Sequence, residues 1–378
     1  MTTWRPLPAL DEGLGRRVSM RALALLRVLV GPVVLLHLRP FVADAAAGRI
    51  YRDTFHEPYA SWYPELPRAL YVALLWVGVA AAVAMTIGLA TRVSTAVTAG
   101  VVVYNLFLST THVHNNRAYL AIVLVVLAMA PCGRELSVDA WLRRRRGLPA
   151  LPAGAPAWPL LLLRFEASVV YGASALSKLV DPDWFGGTVT WHRVVRVRDQ
   201  VVASPLPGWA VDLLTDRSFH TYAAKVIVLT EILLAVGLWW RPTRDATVWV
   251  AVLFHVTIQL TARVEVFSYL AIAALVIWAV PATRDRVLVV DSGRPAHRRL
   301  AAVVRPLDWL ARFRIEDGPA GAPLTVVDRD GRVLTGAAAG ALALSRLPVT
   351  AWPALPAAAL LSSRRPVRRT LNAPSEVS

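Results

Sequence analysis

The sequence predicts an all-α polytopic membrane protein of about eight transmembrane helices, followed by a small C-terminal α/β domain. Three observations carry this. The 378-residue chain is 56% hydrophobic and only 17% charged, where soluble domains are nearer about 45–50% and about 25%. Several apolar runs reach or approach the roughly 20 residues needed to cross a bilayer. The formal charge of +16 comes from 39 arginines and two lysines, Lys178 and Lys225; a multi-pass protein keeps such cations in its inner loops, so the charge does not imply nucleic acid.

The apolar segments run, in order, about Ala22–Leu38, Ala69–Leu89, Val93–Leu108, Ala118–Met129, Trp158–Leu179, Tyr222–Trp240, Ala246–Leu260 and Phe267–Val280. The fourth and the last are short for a full crossing. The first has a rival reading as a signal peptide, because Arg16, Arg17 and Arg21 precede it and the small-residue stretch Ala43–Gly48 follows; seven further spans make a signal unnecessary. With the N-terminus inside, the inner segments hold the N-terminal arm, Arg92, Arg143–Arg146, Arg241 and Arg244. They carry 12 arginines against 10 in the longer outer loops, which predicts a cell-membrane protein with both termini cytoplasmic.

Two long outer loops are then expected, about Arg39–Arg68 and Val180–Thr221, both rich in tyrosine and tryptophan. The domain boundaries fall at 1–281 for the membrane domain, 282–362 for the α/β domain and 363–378 for a disordered tail. In the α/β part, Val287–Val290, Thr325–Val327 and Arg332–Leu334 read as strands, the last two around the Asp328–Gly331 turn. Arg298–Phe313 reads as a basic amphipathic helix.

Ionisable groups within spans are costly and mark candidate sites. They are Arg27, His37, Arg164, Glu166, Lys178, Lys225, Glu231 and His255. Arg164, Tyr171 and Lys178 are spaced by seven and share one helix stripe. His255 and Gln259, four apart, share another face. With Asn115, Asn116 and Tyr119 where the fourth span enters, these groups predict a polar cavity opening outward. Bland readings stand beside each: Lys178 snorkelling to the interface, His255 as a packing histidine, Arg164 and Glu166 as structural ion-pair members, Glu231 as a proton-relay group or a partner for Arg27. His112 and His114 lack a third ligand, and no metal site is predicted. With one cysteine, Cys132, neither an internal disulfide nor a multi-cysteine metal site can form.

Leu163-Arg164-Phe165-Glu166, Val170-Tyr171 and Lys178-Leu179, followed by Asp181-Pro182-Asp183-Trp184, resemble the transmembrane core of vitamin K-dependent gamma-glutamyl carboxylase and the bacterial horizontally transferred transmembrane (HTTM) domain proteins. Asn115-Asn116-Arg117-Ala118-Tyr119-Leu120 with Leu136-Ser137-Val138-Asp139, and Phe254-His255 with Phe267 and Tyr269, are similar to two further segments. The resemblance implies Lys178 as the base that activates a reduced quinone of vitamin K or menaquinol type, with O2 and, for carboxylation, CO2. It implies His255 as a second catalytic residue near the reacting groups. Asn115, Asn116, Tyr119, Tyr171 and Gln259 are then the expected binding residues. The bilayer and an exported peptide are the expected partners, and nucleic acid is not. The sequence departs from the carboxylase at Arg117, where that pattern has histidine, at Glu166, where it has glutamine, and in lacking the large lumenal domain. The rival functions are a non-catalytic maturation factor or scaffold for an exported peptide, and a transporter using Glu231 and His255, for which no inverted repeat is evident.

The C-terminal part resembles the DCC family of thioredoxin-like oxidoreductases. Where that family has two cysteines, this chain has Asp291-Ser292-Gly293-Arg294-Pro295-Ala296-His297. Dithiol exchange needs two thiols, so a degenerate thioredoxin-like domain is expected.

Overall fold

The computed structural model describes residues 8–351 and 358, apart from 54, 153, 262–263 and 282–285. The expected disordered tail at 363–378 lies outside them. The chain divides into two units, Met1–Ala279 and Val280–Ser378.

The first unit is helical. After the short α1 (Pro8–Gly15) and strand β1 (Arg17–Ser19) come α2 (Arg21–Ala46), α3 (Arg68–Ile87), α4 (Thr91–Leu108), α5 (Asn115–Met129) and the short α6 (Val138–Arg145). Strand β2 (Gly154–Pro156) pairs antiparallel with β1 and leads into α7 (Trp158–Val180). Four short helices follow: α8 (Pro182–Phe185), α9 (Thr188–Val195), α10 (Arg198–Val202) and α11 (Gly208–Thr215). Then come α12 (Arg217–Gly237), α13 (Arg241–Thr261) and a broken pair, α14 (Phe267–Ala274) and α15 (Val276–Ala279). Every apolar segment of the sequence is therefore helical. By length and hydropathy, however, five rather than eight qualify as membrane-crossing: α2, α3, α4, α7 and α12. Helix α5 and the α14–α15 pair are apolar but shorter, and α13 opens with Arg241, Arg244 and Asp245, which dilute its hydropathy.

Packing closes these helices into a circuit. α2 touches α3, α3 touches α4, and contacts continue through α5, α7, α12 and α13 to α14, which returns to α2. The α14–α15 pair also touches α5 and α7, and its Leu270, Ala271, Ala274, Leu275, Ile277 and Trp278 are buried. It is the enclosed element. In contrast, Trp76 and Val77 of α3, Leu162 and Phe165 of α7, and Val226 and Leu229 of α12 are exposed. Apolar exposure on this scale needs a nonpolar solvent, and the first unit is that of a membrane protein.

The loop expected over Val180–Thr221 is the four-helix segment α8–α11. Asp181 caps α8 by accepting from the Asp183 and Trp184 amides, and Asp216 caps α12 through the Ser218 amide. Gly187 adopts φ +82, and a Cβ there would lie 2.5 Å from the His220 carbonyl group, so α9 can meet the start of α12 only through glycine.

At the opposite ends of these helices, the fully buried Arg27 of α2 donates to the carbonyls of Met85, Thr86 (2.9 Å) and Leu136 (2.6 Å). The first two are carbonyls of the last turn of α3, the negative end of its dipole, and that of Met85 also accepts from the Gly88 amide at 3.1 Å. Gly88 ends α3 at φ +74, and a Cβ there would lie 2.4 Å from the Ser137 Cβ. Beside them Asp139 accepts from the Ala90 amide (2.8 Å), the Thr91 amide (2.7 Å) and the Thr91 hydroxyl (2.7 Å), capping α4. Burial works against its charge, but these hydrogen bonds outweigh it and hold the carboxyl below the usual aspartate range.

The second unit is a sheet of β3 (Arg286–Val290), β4 (Phe313–Asp317), β5 (Thr325–Val327) and β6 (Val333–Thr335) in the order β4-β3-β5-β6, with α16 (Pro295–Leu307) and α17 (Gly336–Ser345). β3 and β4 run parallel, and the β3–β5 and β5–β6 pairs are antiparallel. Leu288, Val290, Val304, Phe313, Val326 and Leu334 form its core. The helix expected over Arg298–Phe313 stops at Leu307. Asp308 accepts from the Arg312 and Phe313 amides, and Phe313 begins a strand whose alternation of Phe313 and Ile315 with Arg314 and Glu316 has period two.

Candidate functional site

Two polar clusters lie along one stripe of α7. Lys178, in its last turn, is within reach of α12. Its Nζ donates to Glu231 Oε1 (2.7 Å), Glu231 Oε2 (2.9 Å) and Ser174 Oγ (2.5 Å), and Ser174 Oγ donates to Glu231 Oε1 (3.0 Å). The Trp184 ring of α8 stands 5.1 Å from the ammonium. The Lys178 and Glu231 side chains are 14% and 6% exposed, so the pair is shielded but borders the α8–α11 segment.

Two turns back on α7, the buried Tyr171 hydroxyl lies 2.8 Å from His255 Nε2 of α13. His255 is fully buried, flanked by Phe254 and by Phe267 (ring centroids 5.5 Å), and its Nδ1 has no hydrogen-bond partner. Asn116 Nδ2 and Gln259 Oε1 are likewise buried without partners. Buried polar atoms left so are costly and ask for a water or a ligand. A cavity of about 10 Å³ lies beside Tyr171, lined also by Tyr119, Ala167, Phe267, Ala271 and Trp278. This is room for about one water.

Of the expected residues, Lys178, Tyr171 and His255 are thus in bonded clusters, and Tyr119 joins Tyr171 at the cavity. Asn116 is buried at the start of α5, but Asn115 is exposed there. Gln259 follows His255 one turn on. Arg117 is committed elsewhere: it donates to Glu265 at 3.0 and 3.2 Å and lies over Phe41, 5.8 Å from the ring. Burial pushes the Glu265 carboxyl up, but Arg117 outweighs this and holds it below the usual range. His112 Nδ1 meets the Asn105 carbonyl at 2.8 Å. Among the described residues no three His, Cys, Asp or Glu side chains gather as a metal site.

Three expectations are corrected. Arg164 does not enter an ion pair; it donates twice to the Ile277 carbonyl, at 3.0 and 2.6 Å. Arg27 does not meet Glu231, being spent on the carbonyls described above. Lys225 is exposed, over Phe185 and Tyr222. Sequence reasoning missed the Lys178–Glu231–Ser174 cluster. The signal was there: a rare lysine and a mid-span glutamate each need a countercharge at membrane depth.

The HTTM domain family matches residues 16–282. No curated protein and no solved structure matches the chain.

Proposed function

The chain belongs to the HTTM domain family, and from that membership and the two clusters we propose a membrane enzyme that acts on a reduced quinone with epoxidase or carboxylase-type chemistry. In this reading all eight apolar helices cross the cell membrane, both termini are cytoplasmic, and Lys178 lies near the outer surface. The observation that carries it is the Lys178–Glu231 pair, an acid–base couple held at membrane depth. A quinol supplies a phenolic proton and two electrons; with O2 as oxidant, quinol plus O2 balances as quinone epoxide plus water. Glu231 takes the ammonium proton, and Lys178 as free amine accepts the proton of the substrate hydroxyl. Tyr171 and His255 orient a ring oxygen through the His255 Nδ1 that now lacks a partner, and Asn116 and Gln259 offer a donor and an acceptor. These polar atoms suit a quinol's two oxygens, whereas the 10 Å³ cavity does not admit its ring. Binding therefore requires α5, α7 and α14 to part. An exported peptide is the proposed acceptor for carboxylation.

The closed cavity and the satisfied ion pair favour one second reading, a non-catalytic maturation factor or scaffold for an exported peptide. The second unit is proposed to be thioredoxin-like, a reading supported by its strand order. The sequence's only cysteine is Cys132, so a docking role fits it and dithiol exchange does not.

The test is a quinol assay on protein in lipid nanodiscs, with menaquinol or vitamin K hydroquinone and O2, the epoxide being read by mass spectrometry. Epoxide from wild type and none from Lys178→Ala or Lys178→Arg is the expected result. Folded protein that forms no epoxide with either quinol would overturn the enzyme reading in favour of the scaffold.

A further inference from the structure

Between α2 and α3 lies an open groove of about 360 Å³. The two helices run antiparallel, since Arg27 near the start of α2 meets the Met85 and Thr86 carbonyls at the end of α3. One stripe of α2, with Leu35, Arg39, Ala43 and Ala46, forms one wall, and Trp76 and Val79 of α3 form the other. Arg39 is seven positions before the end of α2, about 10 Å at about 1.5 Å per residue. Trp76 is eight positions after the start of α3, about 12 Å from the same side. The arginine and the tryptophan therefore line the groove at a similar depth. Toward the helix ends the wall is the small Ala43 and Ala46; toward the helix middles it is Leu35 and Val79.

Neither helix neutralises Arg39. α3 has no acidic residue, and the single carboxylate of α2, Asp44, pairs with Arg49 at 2.6 Å. The exposed Arg39 guanidinium makes no hydrogen bond or ion pair with the described residues, and the indole N–H of the exposed Trp76 has no acceptor among them. A cation between apolar walls is costly at membrane depth. Two free donors on one groove call for an acceptor that carries negative charge, and a guanidinium matches phosphate oxygens in geometry as well as charge. The arginine's flexible stem lets its head reach past the two alanines toward the helix end. Leu35 and Val79 offer only hydrocarbon. A ligand suited to both parts is anionic at one end and a long apolar chain at the other, which is what the surrounding bilayer supplies.

We propose that this groove binds an anionic phospholipid, whose phosphate is held by Arg39 and Trp76 beside the two alanines and one of whose acyl chains lies along Leu35 and Val79. Phosphatidylcholine carries the same phosphate with an ammonium of its own, so a lone guanidinium favours the lipid that lacks one. The site rests on α2 and α3 lying in a membrane and is independent of the quinol chemistry at Lys178.

Native mass spectrometry of the full chain in detergent tests it, with phosphatidylglycerol and phosphatidylcholine of identical acyl chains titrated separately. Wild type is expected to retain phosphatidylglycerol preferentially. Arg39→Gln should reduce that preference about fivefold, the effect of about one interfacial cation, and Arg39→Lys should retain most of it. Ala43→Leu narrows the groove and keeps the charge, and it should weaken phosphatidylglycerol retention as well. Arg39 and Ala43 are both exposed, so neither change disturbs the packed interior. Inorganic phosphate at the same concentration should not displace the lipid. Equal retention of the two lipids or an undiminished preference in Arg39→Gln would overturn the proposal. So would full retention in Ala43→Leu, displacement by phosphate alone, or a lipid-free dimer that both variants abolish, which would assign the groove to a second copy of the chain.

Discussion

Lys178 and Glu231, 53 residues apart, form a two-pronged ion pair with N–O distances of 2.7 and 2.9 Å. The pair joins α7 to α12, two helices whose exposed side chains are mostly apolar. Removing one partner leaves a shielded charge uncompensated, at a cost of about 3–5 kcal/mol, whereas replacing both by apolar residues is often near neutral. Lys178→Met and Glu231→Met should therefore each lower the thermal midpoint in nanodiscs, and the two together should recover most of the loss. A double variant as unstable as the sum of the singles would show that the two residues act independently.

The Tyr171–His255 bond is buried on every side. Tyr171→Phe removes a hydroxyl without changing the ring's volume and leaves His255 Nε2 unpaired, as its Nδ1 already is. The expected loss is about 1–3 kcal/mol, read by thermal unfolding. An unchanged midpoint would mean that water already serves the imidazole.

Asp139 makes a pH-dependent contribution. Its carboxylate is favoured in the fold, so the stabilisation is complete above about pH 4, the ordinary aspartate range, and is lost as the pH falls through the lower value held in the fold. Asp139→Asn should cost about 1 kcal/mol, as a lost helix cap does, and should flatten the acid limb of the stability profile. An acid limb identical in the variant would assign that limb to other carboxylates.

Gly88→Ala places a methyl group 2.4 Å from Ser137 Cβ at a φ of +74, so overpacking and backbone strain act together. A loss of about 1–3 kcal/mol is expected. Ser137→Gly in the same chain should relieve part of the overpacking and leave the backbone strain, which separates the two causes.

Hydropathy made the helices legible, since each apolar run is a helix to within a few residues. Capping aspartates at 181 and 216 could also have been read beforehand. Partnership was harder. The sequence leaves Glu231 as a proton-relay group or a partner for Arg27, because a buried arginine is a natural counterion, yet helix-end carbonyls satisfy Arg27 equally well, and nothing local distinguishes the two. Arg164 was misassigned for the same reason. Phe313–Asp317 was hidden because Arg314, Glu316 and Asp317 resemble the polar end of the preceding basic helix, while only a parallel neighbour, β3, makes the segment a strand. The narrow cavity depends on how side chains from three helices interlock, and spacing along single helices carries no information about that.

Arg27 also bears on biosynthesis. A guanidinium two turns into α2 (Arg21–Ala46) is poorly soluble in lipid until its acceptors exist, and the Met85 carbonyl is made 58 residues later. At about 5–20 residues per second, the interval is roughly 3–12 s. During it, α2 must wait beside the insertion machinery or hold water around its arginine. The ribosome's arrival at α3 then releases it, so α2 matures only when α3 does.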